Sequence, residues 1–160
     1  MAFMSSFRIT GLDPEKFKDL FARTDEELVA GGARRVVADK TPGFPDRIEM
    51  RDLNVGETAI LVNYTHLDAA SPYRSSHAIY VREGAGQAYD AVDEVPDVLR
   101  RRLLSVRAFD EEAMMTNADV IDGTDLRGWI TRNFEDPKVT FIDVHNAKRG
   151  CFAARVERAR

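Results

Sequence analysis

The chain reads as an α+β protein, a mainly antiparallel sheet with two or three helices packed on it and one βαβ crossover. Three observations lead there. Segments that alternate apolar and polar residues with period two outnumber those with period 3.6. Most connections between them are of hairpin length, which favours antiparallel pairing. The run 114–145 has the order strand, helix, strand of a crossover, expected to be right-handed. At 160 residues a single domain over 1–160 is expected, because domains most often run about 100–150 residues.

Residues 5–10 form a short strand. Asp13 then caps a helix with Pro14 at its first position, and Phe17, Leu20 and Phe21 are its buried stripe. Thr24 and Glu27 have the capping-box spacing, and Gly31-Gly32 ends that helix. Arg35–Ala38 is a strand. The loop 39–47 follows, held extended by Pro42 and Pro45, and Ile48–Met50 resumes a strand. Thr58–His66 and His77–Arg82 alternate well. Symmetric pairing of that hairpin sets His66 opposite His77, Tyr64 opposite Ile79 and Val62 opposite Val81.

Residues 83–94, with Gly84 and Gly86, are the stretch expected to be flexible. Pro96 starts a short helix to about Arg102, and strands follow at Leu104–Phe109 and Met114–Ile121. Thr124 caps an amphipathic helix whose stripe is Leu126, Trp129, Ile130 and Phe134. Val139–His145 and Cys151–Glu157 are the last two strands.

Charge and composition narrow the function. The chain has 23 Lys+Arg against 27 Asp+Glu, a formal net charge of −4. That argues against nucleic acid, whose binders neutralise phosphates with Lys and Arg, and leaves room for a local basic pocket. No apolar run approaches the roughly 18–20 residues of a membrane helix. Met1–Ser6 shows no basic region followed by an apolar stretch, so a cytoplasmic protein with no membrane partner is expected. The single cysteine, Cys151, suits a reducing compartment and excludes zinc sites built on several thiolates.

The C-terminal hairpin is the most informative segment. With the loop at 146–150, symmetric pairing sets Val144 opposite Phe152 and Ile142 opposite Ala154 on an apolar face. The other face carries His145 opposite Cys151, Asp143 opposite Ala153 and Phe141 opposite Arg155. Asp143, His145 and Cys151 are the residue types of nucleophilic or acid–base catalysis, and Arg155 beside them would favour a thiolate. The plainer reading is a set of compatible polar pairs on a solvated sheet face.

Arg47 and Arg74 lie in loops with aromatic and hydroxyl neighbours, a setting that suits a carboxylate or phosphate. Tyr73 and Asn146 would add hydrogen bonds. The plainer reading has each Arg anchoring its own loop, on a carbonyl or on Asp39 or Asp46. Arg100-Arg101-Arg102 reads as a solvated helix C-terminus. His66, His77 and His145 with Asp143 would supply a zinc or iron set only if the two long hairpins abut, and no His-Glu-x-x-His spacing supports one. No metal and no cofactor are expected. Gly84-Ala85-Gly86 lacks the third glycine of a dinucleotide loop, and neither a Walker loop nor a Gly-x-Ser-x-Gly elbow occurs.

Several segments together resemble a bacterial family of uncharacterised proteins, the domain of unknown function 1203 family. They include Phe7-Arg8-Ile9-Thr10-Gly11-Leu12, Pro42-Gly43-Phe44-Pro45-Asp46-Arg47, Leu61-Val62-Asn63-Tyr64 and Ser71-Pro72-Tyr73-Arg74-Ser75-Ser76. Ile79-Tyr80-Val81-Arg82-Glu83, Leu104-Ser105-Val106-Arg107-Ala108, Ala118-Asp119-Val120-Ile121-Asp122-Gly123, Val144-His145-Asn146-Ala147 and Gly150-Cys151-Phe152 complete the set. The resemblance spans nearly the whole chain and implies no activity. It implies instead where to look: the Pro-Gly-Phe-Pro-x-Arg loop, the Pro-Tyr-Arg loop and the Val-His-Asn hairpin. The family pattern has cysteine where this chain has Asp46, which removes a two-cysteine redox role here. It has glycine where this chain has His77, which counts against a three-histidine metal site.

Two functions follow. In the first, a small anionic metabolite is held by Arg47 and Arg74, and His145, oriented by Asp143, is acid or base; no residue pattern fixes a reaction. In the second, the protein is a non-catalytic interaction module or homodimer formed through an exposed sheet edge or apolar patch. Convergence of Arg47, Arg74 and His145 on one concave pocket separates the two.

Overall fold

The structure is a computed structural model and describes residues 6–159. Ser5, expected in the first strand, lies with Met1–Met4 and Arg160 outside the described residues. In chain order the elements are β1 (Phe7–Thr10), a 3-10 turn (Pro14–Lys16), α1 (Lys18–Phe21), α2 (Asp25–Ala30), β2 (Arg34–Val37), β3 (Thr58–Leu67), β4 (Ser75–Arg82) and β5 (Asp90–Val92). Then come α3 (Asp97–Arg100), β6 (Leu103–Phe109), β7 (Met115–Asp122), a 3-10 turn (Gly123–Asp125), α4 (Leu126–Phe134), β8 (Phe141–Asn146) and β9 (Phe152–Arg158). No helix among the described residues is long and apolar enough to cross a membrane.

The strands form a six-stranded sheet, β5-β1-β9-β8-β6-β7, and a three-stranded sheet, β2-β3-β4, with antiparallel neighbours throughout. β7 and β8 both pair antiparallel with β6. They are therefore parallel to each other, and α4 carries the chain between them over β6, which is the expected crossover. Its stripe, Leu126, Trp129, Ile130 and Phe134, is buried with Val98 and Leu99 of α3 against Ile9, Val106, Val144 and Val156 of the large sheet. A second cluster joins Ile60, Ile79 and Val81 of the small sheet to Phe17 and Leu28.

The caps at Asp13 and Thr24 form as expected, the latter as a full capping box. At α4 the expected cap is corrected: Asp122, not Thr124, accepts the exposed backbone N–H, and a 3-10 turn precedes the helix. Two assignments around the central loop also change. Residues 48–49 are bends and Met50 is irregular rather than strand, and the stretch 83–94 contains β5, which pairs with β1.

Both long hairpins are offset from symmetric pairing. Tyr64 pairs with His77 and Val62 with Ile79, and a bulge between Thr65 and Leu67 leaves His66 as the extra residue. In β8–β9, Asp143 pairs with Arg155, Val144 with Ala154 and His145 with Phe152, so Ala153 is extra. A two-residue offset preserves the faces, because side chains alternate with period two. The bulge then moves Phe152 out of the face shared by Val144 and into the second core cluster. The polar face of β8–β9 is not solvated. The β3–β4 hairpin covers it, and Asp143 and His145 are both fully buried.

Candidate functional site

The two bulged hairpins meet at the histidines. His66 Nε2 lies 2.8 Å from His77 Nδ1, and Ser75 Oγ is 3.2 Å from the same His66 nitrogen. The His145 ring stands edge-on to both others, with centroids 4.9 and 5.1 Å away. Phe152 stacks on His66 at 4.9 Å and 8°, which is what its displacement by the bulge accomplishes. One ring nitrogen from each histidine lies within 4.8 Å of the other two.

Charges around the cluster are committed. Asp143 receives a fork from Arg155, at 2.8 and 3.1 Å, and Arg155 also donates to the His66 carbonyl. Burial raises the Asp143 carboxyl, but the His66 ring and the Arg155 guanidinium outweigh it and hold the group below the usual carboxylate range. His145 is oriented by the Gly150 carbonyl, which accepts from Nδ1 at 2.9 Å, rather than by Asp143 as expected. Burial, with Arg107 and His66 adding to it, pushes His145 down to about 3, so the ring is neutral near pH 7. Burial lowers His77 as well.

Arg47 is buried and meets no carboxylate. Nε donates to the Phe152 carbonyl at 2.9 Å, Nη1 to the Pro45 carbonyl at 2.6 Å, and Nη2 to Cys151 Sγ at 3.1 Å. Burial pulls its pKa below the ordinary value, partly offset by the sulfur contact. Its segment is clamped from both sides. Leu12 N donates to the Arg47 carbonyl at 2.8 Å, and Arg47 N donates to the Tyr80 carbonyl at 3.1 Å. Only glycine fits at position 11, where a Cβ would lie 1.9 Å from the Ile48 oxygen. Asp46 does not pair with Arg47. Its carboxylate accepts from the backbone N–H groups of Glu49 and Arg82.

Two hollows open beside Cys151 and share Pro45, Arg149 and Cys151 in their walls. The larger, about 400 Å³, is lined by Lys40, Arg101, Arg102, Lys148 and Arg149, with Asn146 and Cys151 between them and no acidic residue. The smaller, about 210 Å³, brings Arg47 and His77 to the same trough. Asp52 takes up part of the positive charge by pairing with Arg102 at 2.5 Å and with Arg101 at 3.3 Å. Lys40, Lys148 and Arg149 are exposed and make no ion pair among the described residues. Gly150, at φ +78, makes the tight turn that carries Lys148 and Arg149 over Cys151. Asn146 Oδ1 is buried without a hydrogen-bond partner.

The expected site residues therefore divide. Asn146 and Cys151 line the larger hollow, Arg47 and Cys151 the smaller one, and Asp143 and His145 lie buried behind them. Arg74 does not converge: it pairs with Asp68 at 2.9 Å on an exposed loop. Tyr73 packs edge-on against Phe109. Sequence reasoning misses Lys40, Lys148 and Arg149 and assigns Arg101 and Arg102 to a solvated helix C-terminus, because the five come from three separate segments. The arginine run 100–102 and the adjacent Lys148-Arg149 in a hairpin tip are the local signals.

No curated protein and no solved structure matches the chain. The family model described as "Protein of unknown function (DUF1203)" matches residues 43–158, which takes in the Arg47 loop, all three histidines and every cation of the trough except Lys40. The chain belongs to the DUF1203 family.

Proposed function

We propose that the protein binds a small anionic metabolite, a carboxylate or phosphate, in the trough beside Cys151. One observation carries the reading: five cations and no acid line a 400 Å³ hollow in a chain whose net charge is −4. Such local excess attracts small anions without the extended basic surface that a nucleic acid needs. Exposed Lys148 and Arg149 meet the ligand first, Arg101 and Arg102 bound the interior, and Asn146 supplies polar contacts. Arg47 stiffens the floor through its backbone contacts, and Arg74 takes no part. A reducing, cytoplasmic setting suits the free Cys151 in the trough wall.

The test is thermal unfolding with inorganic phosphate and a panel of small carboxylates. A ligand at 100 times its Kd stabilises by about 2.7 kcal/mol, a shift of roughly 5–10 °C for a chain of this size. The response should vanish in the Lys148→Ala/Arg149→Ala double variant and persist in Arg74→Ala. A wild-type protein that ignores every anion, or a double variant that responds like wild type, overturns the reading. The competing function, an interaction module, draws on the long exposed edge strand β7, where Val120 is 59% exposed. It predicts a concentration-dependent dimer and no anion response.

A further inference from the structure

We propose that His66, His77 and His145 form a binding site for a divalent transition-metal ion of borderline softness, of the zinc class. The site adjoins the anion trough and does not depend on it.

The donors are suitable. Imidazole nitrogen suits zinc, copper, nickel and iron, and the three rings already bring one nitrogen each within 4.8 Å of the others. Zinc–nitrogen bonds of about 2.0–2.1 Å set ligand nitrogens roughly 3.4 Å apart in a tetrahedral site. The 2.8 Å contact between His66 and His77 then opens by about half an ångström, and the third ring closes from within 4.8 Å by up to about 1.4 Å, within the reach of side-chain rotation.

The proton arrangement fits a ligand set better than a structural network. A carbonyl only accepts, so the Gly150 contact places the His145 proton on Nδ1 and leaves Nε2 with its lone pair. His66 Nδ1 is buried with no hydrogen-bond partner, yet it faces Asp143 Oδ2 at 3.7 Å. A metal on Nε2 fixes the His66 proton on Nδ1, where a small shift of the ring delivers it to the carboxylate. That is the carboxylate–histidine–metal arrangement by which outer partners orient a ligand, and the Arg155 fork fixes the carboxylate in turn. His77 is the half-exposed member and lines the 210 Å³ hollow, so it gives the ion an entry path and an open coordination position. One group opposes the ion. Arg107 Nη1 lies 3.4 Å from His145 Nε2 and must swing aside.

The experiment uses untagged, chelator-stripped full-length protein, titrated with Zn²⁺ against a chromophoric chelator and with Co²⁺ by visible absorption. The expected result is one ion per chain and a Co²⁺ spectrum of nitrogen-rich, four-coordinate type. His77→Ala, at the most exposed of the three positions, should weaken binding at least about tenfold, and Cys151→Ser should leave it unchanged. Arg107→Met should tighten it. Absence of stoichiometric binding, equal affinity in folded His77→Ala, or loss of binding in Cys151→Ser overturns the proposal. Phosphate is absent from these titrations, so their failure and failure of the anion reading are independent results.

Discussion

Two hollows of this molecule are both lined with arginine and differ in what their charges do. The one around Glu49, Arg51, Asp52 and Asp97 is the larger, about 530 Å³. Three of its four arginines are nevertheless paired with acids, and the fourth, Arg127, donates to the Asp93 carbonyl. Arg51 forks onto Glu57 at 2.7 and 2.8 Å, Arg100 pairs with Asp97, and Arg101 reaches Asp52. The trough beside Cys151 is smaller, and among the described residues three of its cations have no acid to answer them. Volume alone would choose the first; unspent charge chooses the second. Asp52 stands between them, its side chain 3% exposed, and it neutralises Arg101 and Arg102 at their shared wall.

Removing Asp52 should therefore change the comparison most. Among the described residues, Asp52→Ala leaves the Arg102 guanidinium with the Val98 carbonyl as its only remaining partner. Breaking a buried pair from one side costs about 3 kcal/mol or more, and urea unfolding should register that loss. Phosphate should meanwhile shift the melting temperature of the variant more than that of wild type, because two further cations become available to the trough. A variant that is destabilised but gains no anion response would mean that Arg101 and Arg102 do not contribute to the field in the hollow.

The element types of this fold are legible in its sequence, and the cluster at its centre is legible only in part. Capping residues and apolar stripes are local, so Thr24, Asp13 and the Trp129 helix can be read from spacing. Register is not local. Symmetric pairing has no means of anticipating that His66 and Ala153 are bulge residues. The period-two rule still keeps Asp143, His145 and Arg155 on one face, so their grouping survives an offset of two. What covers that face depends on how two sheets stack, and no spacing along the chain reports it. The arginines show the same limit. Arg47 and Arg74 look alike as loop residues, yet one is a buried clamp on Pro45, Phe152 and Cys151 and the other an exposed partner of Asp68.

A smaller effect tests how the trough is held open. Gly150 has φ +78, and a side chain in that conformation costs about 1–2 kcal/mol. Gly150→Ala should lower stability by that amount. It should also weaken the anion response, since the turn aims Lys148 and Arg149, while leaving the Arg51–Glu57 fork untouched. An unchanged response in a destabilised variant would separate the turn from the ligand site.

The paired hollow has its own signature in acid. Arg51 holds the Glu57 carboxyl down to about 2, with the Asn54 backbone N–H assisting, from an ordinary value of 4.5. A carboxyl depressed in the folded state stabilises above its unfolded value and loses that contribution as pH falls through the folded one. The advantage of wild type over Glu57→Gln should thus be complete above pH 4.5 and fade toward pH 2. Its size is about 1 kcal/mol once solvent screening of this half-exposed pair is allowed for. Salt separates the two hollows most finely. At about 1 M ionic strength the Debye length falls to about 3 Å, which screens exposed Lys148 and Arg149 from an approaching anion. Two charges already in contact within a bidentate fork are affected far less. Raising NaCl should therefore abolish the phosphate response of the trough while leaving most of the difference between wild type and Glu57→Gln. If both decline together, the charges of the two hollows are equally open to solvent, and the distinction between spent and unspent arginines fails.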